Sequence, residues 1–147
     1  MSALLSLLEN IQKHSQQLLV CLNLEKKALD NNQLDALAEI SNQKQTLLEQ
    51  LDQLDKQRAA NSCDKNFDTF IINSKDPHLK LQWKSTRKYI VACQQQNEIN
   101  GRLINKRSLI NQDVLSILSG RNQQTNETYN AKGNQSNNTS LFTGIKA

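Results

Sequence analysis

Four glycines and one proline in 147 residues leave this chain few places to turn. Tight turns need a residue at positive φ or with φ already fixed, and Gly and Pro supply those most readily. Three of the glycines, Gly120, Gly133 and Gly144, stand in the last 28 residues. Only Gly101 lies before them. Sandwiches and barrels of short strands need more punctuation than this. The expected class is therefore all-α, with long helices packing through narrow apolar stripes. Hydrophobic residues make up 37% of the chain and aromatics 4%, with a mean hydropathy of -0.66, which argues against a thick core. Leu alone is about 15% and Asn plus Gln about a quarter, so Leu supplies the stripes and amides cover the rest.

The apolar spacing predicts three long helices. The first spans roughly 2–30, with a seam of Leu4, Leu8, Ile11, Ser15, Leu18, Leu22, Glu25 and Leu29 at alternating steps of four and three. Asp30-Asn31-Asn32 has turn chemistry, and so short a break predicts an antiparallel hairpin. The second helix spans roughly 33–60, with Leu37, Ile40, Lys44, Leu47, Leu51 and Leu54 on one stripe. Residues 61–76 lose the period and read as a loop, with a short helical turn as the alternative, and Phe67, Phe70, Ile71 and Ile72 are expected to tuck against the end of the bundle. Asp76 and Pro77 fit an N-cap and first helical position. The third helix, roughly 77–119, carries Leu79, Trp83, Thr86, Ile90, Cys93, Asn97, Asn100, Ile104, Arg107, Asn111, Val114 and Leu118 on its stripe. Residues 121–147 are rich in Asn, Gln, Ser and Thr without any apolar period. Such a stretch buries too little to offset its ordering entropy. The expected organisation is a helical domain over 1–120 and a disordered tail over 121–147.

Charge adds a partner preference within the bundle. Acidic residues dominate between 25 and 55, and Lys80, Lys84, Arg87, Lys88, Arg102, Lys106 and Arg107 dominate between 80 and 107. An acidic second helix beside a basic third one is the expected arrangement. Exposed pairs of this kind contribute only about 0–1 kcal/mol each. The net charge of +4 permits weak attraction to acidic surfaces without requiring nucleic acid.

Nothing in the sequence assembles a catalytic or metal site. His14 and His78 are far apart, and His14 falls near the first seam as a structural residue. No His, Cys, Asp or Glu cluster has ligand spacing, and no glycine-rich loop can cradle a phosphate. No metal, cofactor or enzymatic activity is expected. Cys21, Cys63 and Cys93 are odd in number and lack CxxC spacing, which fits free thiols in a reducing cytoplasm. No basic region precedes the apolar start at Met1, and no apolar run reaches the roughly 18–20 residues of a membrane span. Neither a targeting segment nor stable membrane insertion is expected.

The informative irregularity lies in the third helix. Its stripe turns polar at Asn97, Asn100 and Arg107, then apolar again at Leu109, Ile110, Val114, Leu115, Ile117 and Leu118. Buried amides need partners. One reading is a polar layer that fixes register, as a buried Asn does in coiled coils. Another is that the bundle ends here and the helix runs on, exposing an apolar interaction surface. Ordinary packing against the first helix is the bland alternative.

Three stretches carry a resemblance. Gln43-Lys44-Gln45-Thr46-Leu47-Leu48-Glu49-Gln50-Leu51-Asp52-Gln53-Leu54, followed by Arg58, resembles the middle of the FlgN family of flagellar export chaperones. Asn97-Glu98-Ile99-Asn100-Gly101-Arg102-Leu103 resembles that family's N-x-x-N-G stretch. Thr128-Tyr129-Asn130-Ala131-Lys132-Gly133 resembles its Tyr-x-x-x-Gly tail element. The resemblance implies a cytoplasmic, non-enzymatic chaperone of the flagellar type III export system. Such a protein binds the C-terminal amphipathic segments of the hook-associated proteins FlgK and FlgL and delivers them to the export gate component FlhA.

Together these readings assign the client-binding stripe to Leu103, Ile110, Val114, Leu115 and Leu118. Asn97 and Asn100 would set its register or bond the client backbone. Gly101 would permit a close helix approach or a kink, and Tyr129 would dock on the export gate. A self-associating coiled-coil tether without a client is the competing reading, and nucleic-acid binding by the basic face of 80–107 is a third. Low aromatic content argues against a stacking platform for nucleic acid. The choice between monomer and homodimer stays open.

Overall fold

A computed structural model describes residues 2–62, 66–119 and 141–142, leaving aside the side chains of residue 2 and of 108–119. The described residues are all-helical: α1 (Ser2–Asp30), α2 (Leu34–Ala60), α3 (Phe67–Asn73) and α4 (Pro77–Ser119). No helix among them is long and apolar enough to cross a membrane.

Each boundary has a local cause. After α1, Asn32 adopts φ 55. Gln33 N–H donates to Ala28 O at 2.9 Å and Asn32 N–H to Leu29 O at 3.3 Å, which closes the helix in a Schellman-type cap. Asn tolerates that left-handed conformation better than most residues. The chain then folds back as α2. Asn66 caps α3 by accepting from the N–H groups of Asp68 at 3.0 Å and Thr69 at 3.4 Å. Asp76 accepts from His78 N–H at 2.9 Å and starts α4, with Pro77 in the first turn where its missing donor costs nothing.

α1 is the central element. It packs on α2 and on α4, whereas the backbones of α2 and α4 stay apart and the two helices meet through side chains, Lys44 with Asn97. All eight residues of its expected seam are buried. Leu7, Cys21 and Ala28 are buried as well, widening the stripe to serve two partners. Leu8, Ile11, Leu18 and Leu22 are fully enclosed. Each contributes about 1.5–3 kcal/mol over an exposed position. α3 closes one end: Phe67 meets the Trp83 ring edge-on at 4.7 Å, and Ile71 is buried beside them.

The expected pairing of an acidic α2 with a basic α4 is not what forms. With α1 between them, the cross-helix ion pair of α2 is Lys44 with Glu25 of α1, and Arg87 of α4 pairs with Asp68 of α3. The expected tail, 121–147, lies outside the described residues except at two positions. There the structure differs from the expectation, because Phe142 is buried in the core cluster and Leu141 packs against it. Averaging composition over a polar tail hides one adjacent apolar pair.

Candidate functional site

α1 and α4 run parallel in a repeating register. Thr86 Oγ1 donates to Leu8 O at 3.2 Å, Cys93 Sγ to Ser15 O at 3.2 Å and Asn100 Nδ2 to Leu22 O at 2.8 Å. The three rungs stand seven residues apart, with one offset of 78 between the partners. A heptad position of α4 thus places a short donor against a carbonyl of α1 at every second turn. Burial of the Cys93 thiol pushes its pKa up to about 12, so the second rung keeps its proton.

At the third rung the polar residues converge. Asn100 is fully buried and also donates to Glu25 Oε1 at 2.8 Å. Its own Oδ1 accepts from Gln96 at 2.9 Å. Glu25 Oε1 lies 3.5 Å from Lys44 Nζ, and Lys44 donates to Asn97 Oδ1 at 2.7 Å. Side chains from α1, α2 and α4 therefore close a layer in which each charge faces an opposite charge or an amide. Such a layer specifies register more than it adds stability, because desolvation offsets most of the attraction. Glu25 and Lys44 occupied apolar positions in the sequence pattern, and those misfits were the signal for the layer.

Beyond that layer the core thins: Ala28 and Leu29 are the last buried residues of α1, while Leu34 is 74% exposed and Ile104 43%, although Ile104 stands on the expected stripe. Arg107 reaches back to Asn32 Oδ1 at the cap of α1. Carrying the α1–α4 offset forward places the end of α1 beside residue 108. α4 continues to Ser119. The last 11 or so residues of α4, about 16 Å, thus extend past α1.

The expected site residues divide along this boundary. Asn100 belongs to the closed layer, fully buried and bonded to Leu22 and Glu25. Asn97 is half-buried and bonded to Lys44. Gly101 does not serve a close helix approach, since a Cβ there would meet nothing within 4 Å. Leu103 is half-buried just past the layer. Ile110, Val114, Leu115 and Leu118 lie on the extending part of α4, their side chains outside the described set. Tyr129 lies outside the described residues.

Sequence reasoning missed a second surface. A cavity of about 850 Å³ opens on the α3–α4 face, lined by Ile71, Ile72 and Trp83 together with Lys80, Lys84 and Arg87. Ile72 is 70% exposed there. It also missed Asp55 and Arg58, buried on α2 and bonded at 2.7 Å, with the Arg58 guanidinium 4.7 Å above the Phe67 ring. Arg58 continues the seven-residue step from Lys44 and Leu51, so a longer stripe would have found it. Among the described residues no group of three or more His, Cys, Asp or Glu is placed to hold a metal ion.

Comparison with known proteins gives one match. A family model described as FlgN protein covers residues 1–137. No curated protein and no solved structure matches the chain.

Proposed function

The chain belongs to the FlgN family of flagellar export chaperones, and from that premise we propose that it binds the C-terminal amphipathic segments of FlgK and FlgL in the cytoplasm. It keeps those segments from aggregating and hands them to the export gate, with Tyr129 docking on FlhA. The role is non-enzymatic and needs no cofactor, nucleic acid or membrane insertion.

The observation that supports this reading is the length of α4 beyond the last closed core layer. A helix that outruns its partner presents its apolar residues to something else. Leu103, Ile110, Val114, Leu115 and Leu118 recur there at helical spacing. That spacing suits an amphipathic client helix laid along α4, the helix-in-groove mode of recognition. A client segment that orders only when bound loses about 2–5 kcal/mol of contact energy to ordering, which keeps the complex releasable.

The test is calorimetric titration with the C-terminal segment of the FlgK-like protein from the same organism, against a scrambled peptide of equal length. The expected result is saturable one-to-one binding of the native segment alone, with a negative heat-capacity change. Val114→Asp with Leu118→Asp abolishes that binding while leaving helicity in place, and Tyr129→Ala leaves it unchanged while impairing export. No binding by the unaltered chain at micromolar concentration refutes the reading and returns the self-associating tether as the leading one. Global unfolding of the double variant would instead make the stripe part of the core.

A further inference from the structure

The buried face of α2 is short of apolar residues. Its enclosed positions are Lys44, Leu51, Asp55 and Arg58. The backbones of α2 and α4 stay apart and the helices are bridged at the Lys44–Asn97 bond, which leaves a cleft between them over α1. Leu141 and Phe142 fill it. Leu141 N–H donates to Asp55 Oδ2 of α2 at 3.1 Å, and Leu141 O accepts from Gln94 Nε2 of α4 at 3.0 Å. Phe142 is 3% exposed within the same core cluster as Leu51 and Cys93. The other oxygen of Asp55 is held by Arg58 Nε at 2.7 Å, so the carboxylate is fixed in place to receive the peptide N–H.

This arrangement reads both backbone groups of one residue and encloses the aromatic ring that follows. It recognises a peptide by main chain and apolar anchor, the way short segments are commonly held. We propose that the α2–α4 cleft is a binding site for a peptide carrying an adjacent aliphatic and aromatic pair, filled in the free protein by Leu141–Phe142. The matched family region ends at residue 137, four positions before Leu141, so the occupant lies outside it. The inference does not depend on the client assignment above. About 20 residues connect α4 to Leu141, so the segment is covalently held near the cleft and its docking is intramolecular. The tethered segment therefore excludes a peptide in solution that is not itself a strong binder.

The test uses a fluorescein-labelled peptide of residues 136–147 and the full chain, unaltered and as Phe142→Ala. The Phe142→Ala chain is expected to bind one peptide at least tenfold more tightly than the unaltered chain. A peptide carrying Phe142→Ala is expected not to bind. Equal affinity for both chains, or no binding to the Phe142→Ala chain, overturns the proposal. Because Phe142→Ala also removes buried surface, amide hydrogen exchange on the unaltered chain provides a second readout. The Leu141 amide is expected to exchange at least tenfold more slowly than in the free peptide, and exchange at the free-peptide rate overturns the proposal as well.

Discussion

Asn100→Ala separates a structural joint from a client contact. In the folded chain Asn100 gives two buried hydrogen bonds, to Leu22 O and to the Glu25 carboxylate, both at 2.8 Å. The bond to a neutral carbonyl contributes about 0.5–1.5 kcal/mol, and one to a charged group about 1.5–3 kcal/mol. Leu22 O lies within α1, so its loss falls at the low end of that range. Glu25 keeps Lys44 at 3.5 Å, which moderates but does not replace the second loss. The sum is a destabilisation of about 2–4 kcal/mol, against a total of about 5–15 kcal/mol for a domain. Urea unfolding followed by far-ultraviolet circular dichroism reads it as a lower midpoint at unchanged slope. A double-mutant cycle with Glu25→Ala, which removes the accepting oxygen, isolates the shared bond, with an expected coupling of about 1–2 kcal/mol. A loss under about 0.5 kcal/mol with no coupling would refute the buried layer. Weaker client binding at unchanged stability would return Asn100 to the client surface.

Two further outcomes follow from the α1–α4 contact. The Ser15 hydroxyl is buried with no hydrogen-bond partner among the described residues, so Ser15→Ala is expected to raise stability by about 1 kcal/mol in the same urea assay; a loss of stability would mean that the hydroxyl is bonded. Burial holds the Cys93 thiol at about 12 against an ordinary 9.0, so folding retains a proton that the unfolded chain releases. That contribution is fully present below pH 9.0 and is lost as pH rises towards 12, at about 1.4 kcal/mol per unit. Comparing unfolding midpoints at pH 8 and pH 10 for the unaltered chain and Cys93→Ala should show the smaller drop in Cys93→Ala, and identical drops would contradict the shift.

The seam of α1 was legible because a helix with a partner on either side buries every residue its period places inward. α2 was legible as a helix but not as a packing element. Its leucines at 37, 47, 48 and 54 are only half-buried, and three of its four enclosed residues are charged. A stripe read by hydropathy credits the leucines and discounts Lys44, Asp55 and Arg58. The structure reverses that weighting, because each charged side chain meets a partner from another turn or another helix. The α4 stripe failed at Ile104 for a different reason. Ile104 is 43% exposed although α1 still runs alongside it at that level, because α4 meets α1 through the positions seven apart at Thr86, Cys93 and Asn100, and Ile104 stands off that line.

The same comparison explains why Leu141 and Phe142 were missed. Their role depends on a gap left by α2, whose buried face cannot fill the space above Leu51 with its own side chains. A helix that places charge where apolar surface is needed leaves a site for apolar groups from elsewhere in the chain. The polarity of α2 and the docking of Leu141–Phe142 are therefore one feature. Substituting the Asp55–Arg58 pair with apolar residues would fill the cleft from α2 itself and remove the carboxylate that holds the Leu141 N–H. On that argument the charges on α2 matter less for the stability of the bundle than for keeping the cleft available to a removable occupant. Their replacement would leave a stable bundle with no room for the segment.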